Sequence, residues 1–171
     1  MSVKKQNKLK SYRDKMLETR QQSLDFFAGI EFRYEKVGSI HGCAIINDSR
    51  STSLEDTSYS LEITKTPAHL ILGNVDVAKL LEYLETEIRL KVVTLGVFGA
   101  NDFTKRFEIS KLVDKTVYHQ KIDDVVINMI QWVKSGETLL FSPGSPDFGS
   151  YENFTQTGEQ FNSVVAPYLT K

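Results

Sequence analysis

Three charged residues, Arg33, Asp48 and Arg50, lie beside short apolar segments and are the first candidates for chemistry in this sequence. Two cations and a carboxylate at the ends of strands suit an anion that carries a ribose. Contact with a nucleotide is therefore one interpretation of these three residues. A structural role stays open, because Asn47-Asp48-Ser49 is also a common turn at the end of a strand, where side chains satisfy backbone groups.

A second candidate is the loop SPGSPDFGSYENF at 142–154, which follows the apolar run LLF. Loops rich in turn residues that follow a buried strand are frequent binding sites in α/β proteins. The aromatic residues Phe148, Tyr151 and Phe154 are either platforms for a ligand or side chains that cover the core.

Common motifs for nucleotide, hydrolytic and metal chemistry are absent from the sequence. It has no G-x-x-x-x-G-K-[ST], no G-x-G-x-x-G after a strand and no G-x-S-x-G. The three histidines lack metal-binding spacing, and Cys43 is the only cysteine, which excludes an internal disulfide and a thiolate cluster. We therefore predict no catalytic residue and no metal site in this chain.

The length of 171 residues and the ordinary globular composition, 40% hydrophobic and 25% charged, favour one folded domain. The net charge of −1 argues against a dedicated nucleic-acid binder, although residues 1–20 hold seven Lys or Arg against two Asp or Glu. Such an arm is either a solvated helix or a contact for a polyanion, an anionic lipid or an acidic partner. No secretory signal or membrane-spanning run is present, which predicts a cytoplasmic protein.

Apolar periodicity predicts alternating elements after an N-terminal helix at about 8–27. A hairpin with its turn at Gly38-Ser39 follows, and Ser53 caps the next helix. Strands are predicted at 68–73, 91–99, 116–120 and 138–142. Further helices are predicted at 77–88, 101–111, 122–134 and 158–169, the third of them ended by Ser135-Gly136.

The alternation of strands and helices predicts a Rossmann-like, three-layer α/β/α fold. Its sheet is expected to be mostly parallel and doubly wound, with the N-terminal hairpin as an antiparallel edge. In such sheets ligands bind beyond the carboxyl ends of the strands. The loops at 47–52 and 142–154 are the turn-rich loops expected there.

Three motifs together resemble the C-terminal domain of the Mur ligases, most of all the branch that adds D-glutamate to UDP-N-acetylmuramoyl-L-alanine. FRYE at 32–35 resembles the family's His-Arg-Phe-Glu, and INDSRST at 46–52 resembles Ile-Asn-Asp-Ser-Lys-Ala-Thr. The stretch 142–161 resembles Ser-Pro-Ala-X-Ala-Ser followed by Phe-Lys-Asn-Phe and Arg-Gly-X-X-Phe. The resemblance covers roughly residues 24–165. It divides the chain into a basic helix or linker, 1–27, and a Mur ligase C-terminal-like domain, 28–171.

The resemblance implies a role for each matching residue. In the intact family enzymes a central P-loop domain holds ATP and Mg²⁺, and the C-terminal domain supplies the amino acid that attacks an acyl phosphate. By resemblance the nucleotide-binding residues are Arg33, Asp48 and Arg50, and Arg50 replaces the family's lysine. The residues of an altered amino-acid site are Thr52, Asp147, Phe148 and Phe154.

Two departures from the family concern the amino-acid site. The family's Gly-Gly loop, whose lysine pairs with the glutamate side chain, has no counterpart in LILGNVDVAKLL, where a single Gly73 leads from strand to helix. The glutamate-binding serine of the third motif is Asp147 here. Two carboxylates about 4 Å apart repel by about 4 kcal/mol at an effective dielectric constant of 20. D-Glutamate is therefore predicted to be a poor ligand.

Three functions are compatible with the sequence. The first is a stand-alone Mur ligase C-terminal-like domain that is not catalytic alone and binds a small, amino-acid-like ligand or a protein. The second is an amino-acid-binding subunit that completes a peptidoglycan-precursor ligase in trans, in which a partner chain supplies ATP and Mg²⁺. The third is a binder of nucleic acid or membrane through its basic arm, which we rank last.

Overall fold

The structure is a computed structural model that describes residues 15, 18, 19, 21, 22, 29–99 and 102–170. The sheet in this part of the chain consists of β1 (Glu35–Ile40), β2 (Cys43–Asn47), β3 (Ala68–Leu72), β4 (Val92–Phe98), β5 (Thr116–His119) and β6 (Thr138–Phe141). Its helices are α1 (Leu54–Ile63), α2 (Val77–Lys91), α3 (Phe103–Ile109), α4 (Ile122–Met129) and α5 (Phe154–Val165), followed by a 3₁₀ turn at Ala166–Tyr168.

The predicted N-terminal helix falls largely outside the described residues. Those between 15 and 22 that are described are helical and exposed. The remaining residues of that predicted helix, and with them most of the predicted arm at 1–27, lie outside the part of the chain that the structure describes.

The sheet confirms the predicted architecture. Its strand order is β1-β2-β6-β3-β4-β5, with β1 antiparallel to β2 and every other pair parallel. One face packs against α1, α2 and α3, and the other against α4 and α5. The result is a three-layer α/β/α domain in which the carboxyl ends of β2, β6, β3, β4 and β5 share one edge.

The central strands are apolar on both sides because each face is covered by helices. In β3, Leu70 and Leu72 point into one apolar cluster while Ile71 points into the other, as the two-residue period of a strand requires. Gly96 in β4 allows a close helix approach. A Cβ there would collide with the Met129 sulfur, so α4 packs directly against the backbone of β4.

Helix caps confirm part of the sequence analysis and correct another part. The Ser53 side chain accepts from the Asp56 N–H and caps α1, as predicted. The last helix begins at Phe154, four residues before the predicted start at Gly158, because the Asn153 side chain accepts from the Gln156 N–H. Asn153 and Phe154 therefore belong to a helix start rather than to the preceding loop.

The prediction of a hairpin turn at Gly38-Ser39 is wrong. The chain turns at His41-Gly42, where φ is 51° and 78°, the left-handed values that a tight two-residue hairpin turn needs. Gly38 lies inside β1, where the pairing shifts between Lys36 and Gly38, so that Val37 is the extra residue of a β-bulge. The missing Cβ at Gly38 leaves room for Leu169, whose Cδ2 would lie 3.0 Å from it.

The predicted end of α4 at Ser135-Gly136 is also wrong. The helix stops at Met129, and the Trp132 N–H then bonds to the Met129 carbonyl in a turn. Ile130 and Val133 are nevertheless buried, which explains why the apolar pattern continues beyond the helix. The Gly136 N–H reaches the Gly42 carbonyl, so this loop joins the hairpin turn instead of extending the helix.

A hydrogen bond between two largely buried side chains closes the amino ends of β3 and β6. The His69 Nε2 lies 2.8 Å from Glu137 Oε2, and only 2% of the His69 side chain is exposed. Burial alone would raise the pKa of Glu137, but hydrogen bonds from His69 and from the Lys134 N–H outweigh it and lower that pKa.

We expect Glu137 to stabilise the fold in a pH-dependent way. Because its pKa is lowered on folding, its contribution is present above the ordinary value of 4.5 and is lost as the pH falls through the lowered value. In Glu137→Gln, the free energy of unfolding, measured by urea unfolding, should therefore fall less steeply as the pH is lowered through the acid range. Glu159→Gln, on an exposed part of α5, is the control and should keep the wild-type curve. An unchanged acid slope in Glu137→Gln would contradict this expectation.

Candidate functional site

Three loops meet at the carboxyl edge of the sheet and carry the predicted site residues. They are the β2–α1 loop at 48–53, the β3–α2 loop at 73–76 and the β6–α5 loop at 142–153. Their backbones are joined directly. The Gly144 N–H donates to the Ser51 carbonyl at 3.0 Å, and the Gly73 N–H donates to the Pro143 carbonyl at 2.9 Å.

Asp48 lies behind these loops and ties the three sequence motifs together. Its carboxylate accepts from the Tyr34 N–H at 3.0 Å, from Ser142 Oγ at 2.9 Å and from the Ser51 hydroxyl. The residue is completely buried. That burial raises the pKa of Asp48, and the hydrogen bonds from Ser51, the Tyr34 N–H and Ser142 oppose the rise. Its carboxylate is thus engaged within the protein, while contact with a nucleotide stays a prediction.

Arg33 is held beside the start of α1. Its Nη1 lies 3.2 Å from Asp56 Oδ1 and 3.3 Å from Ser51 Oγ, and 22% of its side chain is exposed. The flanking residues Phe32 and Tyr34 have φ of 60° and 46°, which is uncommon for bulky side chains and costs conformational energy. The chain is therefore bent sharply to present Arg33 to the β2–α1 loop.

Arg50 and Phe154 come from different motifs and meet at this edge. The guanidinium carbon of Arg50 lies 5.2 Å from the centre of the Phe154 ring, a cation–π distance. Arg50 is exposed, so the ring fixes one face of the guanidinium while its N–H groups remain open to solvent. The structure thus brings together two of the predicted site residues that are over 100 positions apart in the sequence.

Thr52 lines a cleft of about 340 Å³ between α1, α2 and the β6–α5 loop. The side chains that could contact a ligand there belong to Thr52, Glu55, Asp76, Lys79, Tyr83 and Ser145. A cleft of this size accommodates a small polar molecule such as an amino acid. A larger cavity of about 660 Å³ runs along the β1–β2 hairpin, but it contains none of the predicted site residues.

Asp147 and Phe148 lie in the β6–α5 loop but do not line that cleft. The Asp147 carboxylate accepts from the Gly149 N–H at 3.0 Å and from Asn74 Nδ2 at 3.1 Å. Phe148 is half-buried, and its carbonyl accepts from the Tyr151 N–H within the loop. Neutral N–H groups therefore orient the Asp147 carboxylate. The repulsion predicted from the sequence assumed a carboxylate without such partners.

Sequence reasoning missed two polar residues of this edge, Asn74 and Lys105. The Lys105 Nζ lies 3.3 Å from Asn74 Oδ1, and Asn74 in turn donates to Asp147. Asn74 follows β3 directly, so the rule that ligands bind beyond carboxyl ends could have singled it out. Lys105 carries no comparable signal, because its place depends on how α3 packs beside β4.

No grouping of His, Cys, Asp and Glu in the described part of the chain is suited to hold a metal ion. Within the same residues, no helix is long and apolar enough to cross a membrane.

Comparison with known proteins finds sequence relatives that carry the same protein name. No family model matches the chain. It is 36% identical over 146 residues to the UDP-N-acetylmuramoylalanine–D-glutamate ligase of Chlorobium phaeobacteroides (strain BS1), which covers 84% of this chain and 31% of that protein. It is 28% identical over 153 residues to the ligase of the same name from Hydrogenobaculum sp. (strain Y04AAS1), with 90% and 37% covered. The chain thus spans about a third of the length of these curated relatives.

A solved structure shares the fold. The MurF ligase from Thermotoga maritima in complex with ADP has a TM-score of 0.52 and 13% sequence identity, and the match covers 81% of this chain and 32% of that one. At this identity the likeness concerns architecture alone. It agrees with the three-layer sheet described above.

Proposed function

This chain belongs to the Mur ligase family, in which it corresponds to the C-terminal domain, and from that premise we propose that it holds the incoming amino acid for an ATP-dependent acid–amino-acid ligase. The cleft at Thr52 is the proposed amino-acid site. Arg50, with Arg33 behind it, is the proposed contact for the nucleotide. The proposed reaction belongs to peptidoglycan-precursor synthesis in the cytoplasm.

The observation that carries this proposal is the convergence of Arg50, Thr52 and Phe154 at one edge of the sheet. Arg50 offers a planar set of N–H donors that suits a phosphate or carboxylate. Thr52 offers a hydroxyl that can donate to a carboxylate or accept from an ammonium group. Both lie within the same β2–α1 loop, so an anion at Arg50 and an amino acid at Thr52 would be neighbours.

ATP and Mg²⁺ fit this chain only in part. Arg50 and Arg33 could contact a phosphate, although Asp56 already occupies a donor of Arg33. The described residues offer no cluster of metal ligands, so a nucleotide-bound Mg²⁺ would be held by another domain. When bound, the nucleotide would supply the phosphate that activates the acceptor carboxylate. The residues of this chain would orient the amino acid and neutralise charge.

The test is isothermal titration calorimetry of the purified chain with ATP, alanine of both configurations and D-glutamate. Arg50→Ala should weaken ATP binding about tenfold or more, because a charge-assisted hydrogen bond contributes about 1.5–3 kcal/mol. Thr52→Val should weaken amino-acid binding about fivefold through the loss of one hydroxyl. The matched controls are Arg89→Ala and Thr86→Val on α2, which should bind like the wild type. Absence of any amino-acid binding would refute the proposed function.

A second function is binding without catalysis, with a small ligand or a protein as the partner. The Arg33–Asp56 contact favours it, because a carboxylate 3.2 Å from the guanidinium competes with a phosphate for that donor. The two functions are distinguished by adding, in trans, the part of a relative that this chain does not match. Ligase turnover after addition of the remaining part of the Chlorobium relative would support the first function. Ligand binding without turnover would support the second.

A further inference from the structure

The larger cavity, of about 660 Å³, runs along the β1–β2 hairpin and shares no lining residue with the cleft at Thr52. We propose that this cavity is a second binding site, which takes an organic anion with an apolar body, such as a carboxylate on an aliphatic chain. Lys36 and Lys65 bind its charged end, and the Thr138 hydroxyl bonds to a polar group at its other end. This site goes beyond the proposed ligase function and does not depend on it.

Strand pairing places the lining side chains of the hairpin and of β6 on one face of the sheet. Lys36 of β1 pairs with Ile46 of β2. Ala44, two residues before Ile46, pairs with Thr138 of β6. Paired residues point to the same face, as do residues two apart along a strand. Since Ile46 belongs to the apolar cluster that α1 covers, all four side chains point to the α1 side, with an apolar floor between a lysine and a hydroxyl.

The hydroxyl of Thr138 points to a ligand. Only 3% of Thr138 is exposed, and the residue lines the cavity. Within the described part of the chain, its Oγ1 has no hydrogen-bond partner. A buried hydroxyl without a partner costs free energy, because it has given up its bonds to water without replacement. A polar group on a molecule inside the cavity would supply the missing bond.

Two lysines in the lining supply positive charge. Lys36 and Lys65 are exposed, and among the described residues neither ammonium has a salt bridge or a hydrogen bond. Tyr34, two residues before Lys36, connects the two segments, because its Oη lies 3.0 Å from Oγ1 of Thr64, the neighbour of Lys65. Both ammonium groups therefore border the same part of the cavity.

Two of the three acidic residues of the lining are engaged elsewhere. The Glu137 carboxylate lies 2.8 Å from Nε2 of His69, whose side chain alternates with those of the α1 cluster and so points to the opposite face. The Glu35 carboxylate accepts from the Phe32 N–H at 3.0 Å. Glu31 is exposed and has no partner in the part of the chain that the structure describes. The two lysines therefore outnumber the acidic side chains that are free to face the cavity, which favours an anion.

The geometry of the sheet sets the length of a suitable probe. Lys36 and Thr138 are two strand spacings apart across the sheet and two residues apart along it, which separates their Cα atoms by about 12 Å. An extended chain of about ten carbons matches this span. The cavity volume also lies in the range of small-molecule sites. Decanoate tests the lysines and the apolar floor, and ω-hydroxydecanoate adds a hydroxyl for Thr138.

The experiment is a calorimetric titration of the full chain with decanoate, ω-hydroxydecanoate, decanol and decylammonium. Lys36→Met and Lys65→Met should each weaken both acids about tenfold and leave decanol unchanged. Thr138→Val should abolish the tighter binding of ω-hydroxydecanoate, about fivefold over decanoate, and leave decanoate unchanged. Ala44→Leu fills the floor of the cavity and should weaken every probe that the wild type binds. Its matched control is Ala78→Leu on α2; those for the other variants are the exposed Lys121→Met and Thr86→Val.

Several outcomes would overturn this inference. Decylammonium binding as tight as decanoate binding would show that the cavity does not select an anion. Decanoate affinity that is unchanged in both lysine variants, or in a folded Ala44→Leu, would place the probe elsewhere. Equal wild-type affinity for the two acids would refute the bond to Thr138. Circular dichroism establishes the fold of each variant, and the lysine variants, at exposed positions, keep the test decisive if Ala44→Leu does not fold. ATP and amino-acid binding should be unchanged in the lysine variants, so failure here leaves the proposed function standing.

Discussion

Asp48→Ala is expected to lower the free energy of unfolding by about 3 kcal/mol. The substitution leaves the Tyr34 N–H, Ser142 Oγ and Ser51 Oγ without their common acceptor in a region that water does not reach. A buried polar group that loses its partner costs about 1–3 kcal/mol. The removal of a buried carboxylate recovers part of that cost, because its desolvation penalty disappears as well.

The melting temperature and the urea midpoint measure this effect. For a chain of this length, a loss of about 3 kcal/mol corresponds to a fall of about 6–12 °C in the melting temperature. Asp124→Ala, an exposed carboxylate at the start of α4, serves as the control and should melt near the wild-type temperature. A stability loss below about 1 kcal/mol would mean that Asp48 does not organise this edge.

Phe161→Ala is expected to cost about 3–5 kcal/mol, the range measured for phenylalanine truncations in protein cores. The Phe161 ring stacks on Phe141 with centroids 4.6 Å apart and an interplanar angle of 14°, and the side chain is fully buried. Truncation removes this stack and leaves a cavity between α5 and β6. Because α5 begins with Asn153 and Phe154, the loss should also loosen the support of Arg50.

Urea unfolding gives the first part of this prediction and nucleotide titration the second. Phe103→Ala is the matched control, since 81% of Phe103 is exposed and its truncation creates no cavity. Phe161→Ala should lose stability and weaken ligand binding at Arg50, whereas Phe103→Ala should change neither. Wild-type stability in Phe161→Ala would show that α5 docks through other contacts.

The fold was predictable from the sequence because its signals are local. Continuous apolar runs such as Ala68–Leu72 and the apolar stripe of α2 correspond to strand and helix as predicted. The predictions were wrong where one local sequence signal is compatible with two different structures. Gly38 was predicted to form a turn, but it lies in a bulged strand against Leu169. Ile130 and Val133 continue the apolar pattern of α4, but they lie in the loop after that helix, where they are buried.

The candidate site was predictable only in part because its geometry depends on contacts between distant segments. The sequence indicated Arg50 and Phe154 separately, and the structure places one above the other. It also predicted that Asp147 would repel an acidic ligand. It could not indicate that Asn74 and Lys105 lie beside Asp147, because these residues come from β3–α2 and α3. Side-chain contacts between loops have no period or spacing in the sequence.

The bulge at Val37 determines which face of the sheet the residues just before it point to. Between the hairpin turn and Gly38 the two strands pair residue by residue, and the extra residue then shifts the pairing by one position. Since successive strand residues point to opposite faces, regular pairing without the bulge, with Val37 opposite Ile46 and Lys36 opposite Asn47, would turn the upstream residues to the other face. Arg33 and the Tyr34 N–H would then no longer face Ser51 and Asp48. One inserted residue in an edge strand thus decides whether the first motif points at the site or away from it.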